Sequence, residues 1–245
     1  MQKLQARDIN LRYLIDNFGL QRVRKADFFP EWQENLPEVT DSEKQLLDRV
    51  QDIYFNLVDT PPVLENAVKL TIVSPILFIA GLFESPFQVK AEKSISIQEE
   101  DEGRIIEGRI DILIMKANLW VTVIESKQLS FSTDEALAQL LTYMLADPDP
   151  ETPTFGMIST GANFSFVKLV RSEIAQYALS PEFVIRNPGN ELYRVLQIFK
   201  TPKSTARLAI KAILSLVLKQ TISNIMSADN DRDRTFFMAR HDIIS

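Results

Sequence analysis

Cysteine is absent from this chain of 245 residues, and histidine occurs once, as His241. Without cysteine the chain can form neither a disulfide nor a thiolate metal site, so any metal must be held by oxygen or nitrogen ligands. His241 lies in a polar stretch near the C-terminus, which fits poorly with a histidine zinc site or with Ser-His-Asp catalysis. If the protein uses a metal, the composition favours a hard cation such as Mg²⁺ or Mn²⁺.

Long apolar runs are also missing. The two most apolar stretches, 70–83 and 208–218, are interrupted by Pro75 and by Lys211, and they fall short of the roughly 20 residues that a membrane-spanning helix needs. Residues 1–20 are charged throughout and show no apolar segment followed by a cleavage site. We therefore expect a cytoplasmic protein that does not contact membranes.

The chain has no excess of positive charge, since its formal net charge is −6 and its pI is near 5.0. This argues against a protein that coats nucleic acid nonspecifically, because phosphate neutralisation provides most of such affinity. It does not exclude an enzyme that acts on nucleic acid, because basic residues can be concentrated locally. Basic residues outnumber acidic ones over 164–211, which indicates either a solvated mixed surface or a DNA-contacting face.

Hydrophobic periodicity predicts an α/β or α+β domain in which helices flank a mixed central β-sheet. Helices are predicted over 8–18, from an N-cap at Asp41 or Ser42 to Leu57, and over 63–73, 133–146 and 204–226. Strands are predicted over 87–97, 104–116, 120–127, 155–160 and 164–170.

The chain is interpreted as one domain of 245 residues. We divide it into an N-terminal helical arm (1–60), a core (61–170), a C-terminal helical part (171–225) and a polar tail (226–245). Pro75 is expected to end or kink the helix over 63–73, because the residue before a proline disfavours the helical conformation.

Two carboxylates occur where apolar strand residues are expected. Asp111 is flanked by isoleucines, and Glu125 ends an apolar run and is followed two positions later by Lys127. Strand alternation puts Glu125 and Lys127 on one face. The midpoint between Asp111 and Glu125 is Asn118, so a three-residue loop over 117–119 would bring them face to face, whereas a two-residue loop would need a bulge to do so.

Facing carboxylates repel each other unless they share a proton or bind a cation. A divalent cation held there could polarise a phosphodiester and activate a bound water, and Lys127 could orient that water or stabilise charge on the phosphate. A strand-end salt bridge between Lys127 and either Asp111 or Glu125 is the structural alternative.

The order Asp111, then Glu125-x-Lys127 fourteen positions later, then a helix resembles the signature of the PD-(D/E)xK nuclease superfamily, with Ile110 in place of the nominal proline. The resemblance implies a restriction-endonuclease-like mixed sheet and hydrolysis of DNA with Mg²⁺ or Mn²⁺. It also implies catalytic roles for Asp111, Glu125 and Lys127, and a metal held by Asp111, Glu125, Ser126 and Glu65.

A second motif indicates which members of this superfamily the chain resembles. Gln139-x-x-x-Tyr143 resembles the Q-x-x-x-Y motif of RecB-like nucleases and of the R subunits of type I restriction enzymes, and it implies that both residues reach the site. Packing in the core is the structural alternative for Tyr143, although glutamine at 139 is a poor core residue. Glu65 resembles the upstream helix glutamate of these nucleases, while an i,i+4 pair with Lys69 is its structural alternative. The stretch 156–169 resembles the strand pair that follows the motif helix.

Three functions fit these observations. The first is a metal-dependent DNA endonuclease of the type I R-subunit kind, without the helicase motor, because no G-x-x-x-x-G-K-[ST] loop is present. The second is a DNA-binding or assembly subunit with the same fold and weak or no catalysis, and the third is a structural protein with an ion-paired strand edge. Expected partners are DNA, the motor, specificity and methylation subunits of a restriction system, and a second copy of the chain, joined through its apolar C-terminal helix.

Overall fold

A mixed nine-stranded β-sheet forms the centre of the part of the chain that the structure describes. The structure is a computed structural model that describes residues 3–98, 104–116, 119–126 and 133–201. The helix predicted over 204–226, the polar tail and Lys127 lie outside these residues. Within them, helices flank a sheet with parallel and antiparallel pairs, so the predicted α+β class is confirmed.

The strands lie in the order β1-β4-β5-β6-β7-β8-β2, with β3 on β4 and β9 on β7. They are β1 Lys3–Gln5, β2 Gln21–Arg22, β3 Phe87–Gln98, β4 Ile105–Lys116, β5 Leu119–Ser126, β6 Thr154–Ser159, β7 Asn163–Arg171, β8 Ala175–Leu179 and β9 Phe183–Val184. Strands β1 and β2 come from the segment predicted as a helical arm, and β8 comes from the segment predicted as helical. Strand β1 pairs in parallel with β4, and β2 pairs in parallel with β8. Strands as short as β1 and β2 leave no extended alternating pattern to detect.

The helices are α1 Leu11–Phe18, α2 Asp41–Val58, α3 Glu65–Val68, α4 Ser74–Ile79, α5 Thr133–Leu145 and α6 Leu192–Lys200. Helix α2 begins with a capping box in which Thr40 accepts from the Glu43 backbone, so the N-cap is Thr40 and not Asp41 or Ser42. No helix among the described residues is long and apolar enough to cross a membrane.

Pro75 does not end the helix that precedes it. A π-helical turn over Lys69–Val73 joins α3 to α4, and Pro75 lies in the first turn of α4. The Ser74 N–H bonds to the Lys69 carbonyl, five residues back. Because hydrogen bonding changes to the π pattern just before the proline, the chain remains helical through it.

Two apolar clusters cover the two faces of the sheet. On the first face, which we call the α2 side, α2, α4 and α6 pack on residues that include Ile112, Ile114 and Ile124. On the second face, the α5 side, α1 and α5 pack on residues that include Ile110 and Leu113. Strand alternation therefore brings Glu125, which follows Ile124 on β5, toward the α5 side.

The β4–β5 hairpin has the register expected for facing carboxylates, although its turn differs from the prediction. Lys116 pairs with Leu119, so Leu119 belongs to the strand and not to a three-residue loop. A register shift between Ile114 and Met115 then moves the pairing by one residue, so that Ile112 pairs with Ile124. Extending this register by one residue brings Asp111 opposite Glu125. The bulge that a shorter turn requires is therefore present.

Gly161 sets the distance between the β6–β7 turn and α3. It has φ = +83°, and a Cβ built on it would lie 3.0 Å from Cγ1 of the buried Val68. Val68 lies between Glu65 and Lys69 on the chain, so this contact fixes the helix that carries both charged residues.

We predict that Gly161→Ala lowers the free energy of unfolding by more than Gly189→Ala. Both glycines have a left-handed backbone, which costs an alanine about 1–2 kcal/mol. A Cβ on Gly189 meets nothing within 4 Å, whereas one on Gly161 must displace Val68. Urea unfolding of both variants measures the difference. Equal losses would mean that Val68 does not pack against Gly161.

Candidate functional site

Asp111 and Glu125 lie at a break in the strand pairing of β4. Strand β3 pairs along the whole of one edge of β4, so β5 and β1 share the other edge. The pairing with β5 ends at Ile112, and the pairing with β1 covers Ile105–Glu107. The stretch 108–111 lies between them, and Asp111 is therefore at the opening where β5 leaves β4.

The backbone at Asp111 is irregular. Ile110 packs on the α5 side and Ile112 on the α2 side, although residues two apart in a regular strand share a face. On β3 the residue opposite Asp111 is Glu92, whose φ is +52° and whose neighbours pair with Ile110 and Ile112. Irregularities of this kind redirect a side chain, and here the redirected side chain is a carboxylate that is 15% exposed.

Lys69 joins Asp111 to Glu65. Its Nζ lies 2.7 Å from Oδ1 of Asp111 and 2.7 Å from Oε1 of Glu65. Glu65 and Lys69 are four residues apart at the start of the helix and share one face, so the i,i+4 pair expected as the structural alternative for Glu65 is present. Since Lys69 also reaches Asp111, the same pair brings Glu65 to the opening beside β4.

The helix α5 supplies the two remaining motif residues. Nε2 of Gln139 donates to Oη of Tyr143 at 2.6 Å, and both side chains are buried. Tyr143 also makes a hydrogen bond with the backbone of Arg109, in the stretch of β4 that pairs with β3 but with neither β1 nor β5. The tyrosine hydroxyl therefore ties α5 to β4 next to Asp111.

Gly108 allows Tyr143 to approach the strand. A Cβ on Gly108 would lie 2.6 Å from Cε1 of Tyr143 and 2.7 Å from the Cβ of Ala6. No real side chain tolerates such contacts, so the tyrosine ring reaches Arg109 only because residue 108 is glycine.

The charges at the opening alter two pKa values. Burial raises the pKa of Tyr143 to about 12, and the negative charges of Glu125 and Asp111 act in the same direction. Burial alone would lower the pKa of Lys69, but its hydrogen bonds to Asp111 and Glu65 outweigh burial and raise it. Lys69 is therefore a permanent positive charge at neutral pH, and Tyr143 is neutral.

Glu125 completes the set from β5. Its side chain is 2% exposed, and it pairs in parallel with Ile158 of β6 through its backbone. Ser126 pairs with Ser159 in the same way, and its side chain lies outside what the structure describes, as does all of Lys127. Of the predicted site residues, Glu65 and Asp111 both contact Lys69, and Gln139 contacts Tyr143, whose pKa is raised by burial and by the charges of Glu125 and Asp111. Lys127 and the Ser126 side chain stay predictions.

Among the described residues, no three histidine, cysteine, aspartate or glutamate side chains are gathered closely enough to hold a metal. The donor set is nonetheless one that a hard cation uses, because carboxylate oxygens are its preferred ligands. The Lys69 ammonium shows that a cation fits at this position, since it lies 2.7 Å from one carboxylate oxygen of Glu65 and 2.7 Å from one of Asp111. The opening thus accommodates a positive charge between Glu65 and Asp111.

Three contributors were not singled out from the sequence. The sequence indicates Lys69 only as a surface partner of Glu65, because its contact with Asp111 depends on how the helix packs. An isolated glycine within a strand indicates that another part of the chain comes close to the backbone there, so the sequence did indicate a special position at Gly108. Arg109 takes part through its backbone hydrogen bond with Tyr143, and such a contact does not depend on which side chain stands at position 109.

Comparison with known proteins adds no assignment, since no protein-family model and no curated protein matches the chain.

We predict that Tyr143 makes the protein less stable at high pH. A tyrosine in the unfolded chain loses its proton near pH 10, whereas Tyr143 retains its proton until about pH 12 in the folded protein. Above pH 10 the folded state thus binds more protons, and stability falls as pH rises from about 10 to about 12, by up to about 3 kcal/mol.

The Tyr143→Phe variant isolates this contribution. Urea unfolding of both proteins at pH 8 and pH 11 should show a smaller loss in the variant, and absorbance at 295 nm should show one fewer late-titrating tyrosine. An identical loss in both proteins would mean that Tyr143 is not the group responsible.

Proposed function

We propose that the protein is a metal-dependent nuclease of the PD-(D/E)xK type that hydrolyses phosphodiester bonds of DNA. The observation that carries the proposal is the register of the β4–β5 hairpin, which brings Asp111 opposite Glu125 at the opening of β4. Gln139 and Tyr143 of the Q-x-x-x-Y motif lie at the same opening, hydrogen-bonded to each other. A packed core tyrosine needs neither a carboxylate pair nor a glutamine beside it.

In this proposal Mg²⁺ or Mn²⁺, when bound, polarises the phosphodiester and lowers the pKa of a water ligand. The resemblance assigns the metal to Asp111, Glu125, Glu65 and Ser126. Glu65 and Asp111, which both contact Lys69, would hold it first, and Glu125 would have to move toward them when the metal binds. Lys127 would orient the attacking water or stabilise charge on the phosphate. Tyr143 and Gln139 would fix the backbone of β4 next to Asp111, because their hydrogen bonds connect α5 to Arg109.

A second function is favoured by one specific observation. Lys69 satisfies Glu65 and Asp111 in the structure, and a protein that never binds a metal needs such an internal cation. The alternative is therefore a nuclease-fold subunit that binds DNA or assembles with partners and has weak or no catalysis. In both proposals the partners are DNA and the motor, specificity and methylation subunits of a restriction system, with a homodimer as a further possibility, and the location is the cytoplasm.

We predict that the purified chain cuts plasmid or linear DNA only when Mg²⁺ or Mn²⁺ is present. Asp111→Ala and Lys127→Ala should each reduce the rate by about 100-fold or more, because each removes a charge that acts on the reacting phosphate. Lys93→Ala is the matched control, since Lys93 is an exposed cation on the neighbouring strand β3. Gel electrophoresis of the time course measures the rates. No cutting by the wild type, with DNA binding retained, would support the binding subunit instead.

We predict that Lys69→Met strengthens metal binding. Without its ammonium, Glu65 and Asp111 face each other with no cation, so the metal-free variant should melt at a lower temperature than the wild type. A metal then meets no competing charge, and saturating Mg²⁺ should raise the melting temperature of the variant by about 2–4 °C more than that of the wild type.

Differential scanning calorimetry with and without Mg²⁺ makes this measurement, with Lys93→Met as the control for loss of one lysine. An equal Mg²⁺-dependent rise in wild type and Lys69→Met would count against a metal between Glu65 and Asp111.

A further inference from the structure

Three basic residues close to one another line a surface cleft at the far edge of the sheet. Arg22, Arg24 and Lys25 border a cleft of about 550 Å³ together with the half-buried Phe28 and with Gln176 of β8. Asp27 is the one acidic residue of the lining. In a chain whose net charge is −6, this cleft has the opposite sign.

Among the described residues, Arg22, Arg24 and Lys25 have no carboxylate partner, whereas several other cations of the protein do. Arg12 lies 2.6 Å from Asp16, and Lys168 lies 2.7 Å from Glu31. Arg22, Arg24 and Lys25 are all exposed, and within the described ranges none lies within 4.0 Å of an acidic side chain. Neighbouring like charges repel each other, so an unneutralised group of this kind favours an anionic ligand.

The backbone holds these charges in a fixed arrangement. Strand β2 pairs with β8 through Arg22 and Tyr177, and the pairing continues as the Val23 N–H donates to the Tyr177 carbonyl at 2.8 Å. Along an extended chain, Arg22 and Arg24 share a face and lie roughly 6–7 Å apart. Two adjacent guanidinium groups at a fixed spacing suit a polymer of phosphates better than a single small anion.

The sheet topology relates the cleft to the opening at Asp111. Strand β5 runs parallel to β6, β6 and β8 are both antiparallel to β7, and β2 is parallel to β8. Hence β2 and β5 run in the same direction, and the segment 22–25 and Glu125 both lie toward the carboxyl ends of these strands. Four strand spacings of about 4.8 Å separate β2 from β5, which is about 19 Å across the sheet.

We propose that the cleft lined by Arg22, Arg24 and Lys25 binds the phosphodiester backbone of DNA at a distance from the phosphate that reacts. DNA carries one phosphate per about 3.4 Å along each strand, so about 19 Å corresponds to roughly six nucleotides. The choice of DNA as the polymer rests on the proposed nuclease function. The contacts are to phosphates, so they position the DNA and do not read its sequence.

The test is DNA binding by the full chain without divalent metal, where no cutting can occur. Fluorescence anisotropy of a labelled duplex of 20 base pairs gives Kd over a series of salt concentrations for wild type and Arg22→Gln/Arg24→Gln. The double variant should bind about tenfold more weakly at low salt, and the slope of log affinity against log salt should become less negative by about 2.

The matched control is Arg49→Gln/Arg186→Gln, which removes two exposed arginines outside the cleft. Its affinity and salt slope should equal those of the wild type. Circular dichroism and gel filtration verify that fold and oligomeric state are the same in all three proteins, because charges next to an edge strand also discourage association.

The outcomes separate this proposal from the nuclease proposal. If the cleft variant and the wild type bind DNA equally, or if neither binds, the cleft does not contact DNA, whatever the cutting assay shows. If binding depends on the two arginines but no metal supports cutting, the cleft proposal stands and the nuclease proposal fails. Arginine-dependent binding to phosphatidylglycerol vesicles, without binding to the duplex, would overturn the cleft proposal in favour of a membrane surface.

Discussion

The opposition of two carboxylates at the end of β5 constrains the architecture around it. Glu125 is buried and Asp111 nearly so, and two such charges face to face are costly unless a cation or a proton lies near them. Lys69 meets this need for Asp111 with an ammonium that Glu65 also holds. The helix that carries Lys69, the hairpin that aligns the carboxylates and the helix that carries Tyr143 all meet at this point.

Several departures from regular secondary structure occur together here. The β4–β5 hairpin has a register shift, Glu92 opposite Asp111 has a positive φ, and a π-helical turn begins at Lys69. Each one redirects side chains by adding a residue to a repeating pattern or by changing its backbone angles. Regular elements would leave Asp111 and Glu125 on opposite faces. Local irregularity thus assembles the site, while two ordinary apolar clusters support the fold.

Charge is divided between two places in the proposed mechanism. The acidic opening beside β4 would carry the chemistry, and the basic cleft beside β2 would carry affinity for the backbone. A site that attracts Mg²⁺ with carboxylates repels a phosphate polymer until the metal is bound, so cations placed roughly six nucleotides away can hold DNA without competing for those carboxylates. This division also reconciles the net charge of −6 with a nucleic-acid substrate.

The sequence alone determined the α+β class and the strands of the central hairpin, because periodicity encodes these features locally. It left open whether a three-residue loop or a bulge would bring Asp111 opposite Glu125, and the bulge decided it. Tertiary structure decided what depends on packing between distant segments. It placed β1 and β2 in the sheet, carried the helix through Pro75, and brought Lys69 to Asp111, 42 residues away. No local pattern reports such contacts, because they arise only when the apolar faces of separate elements are buried against each other.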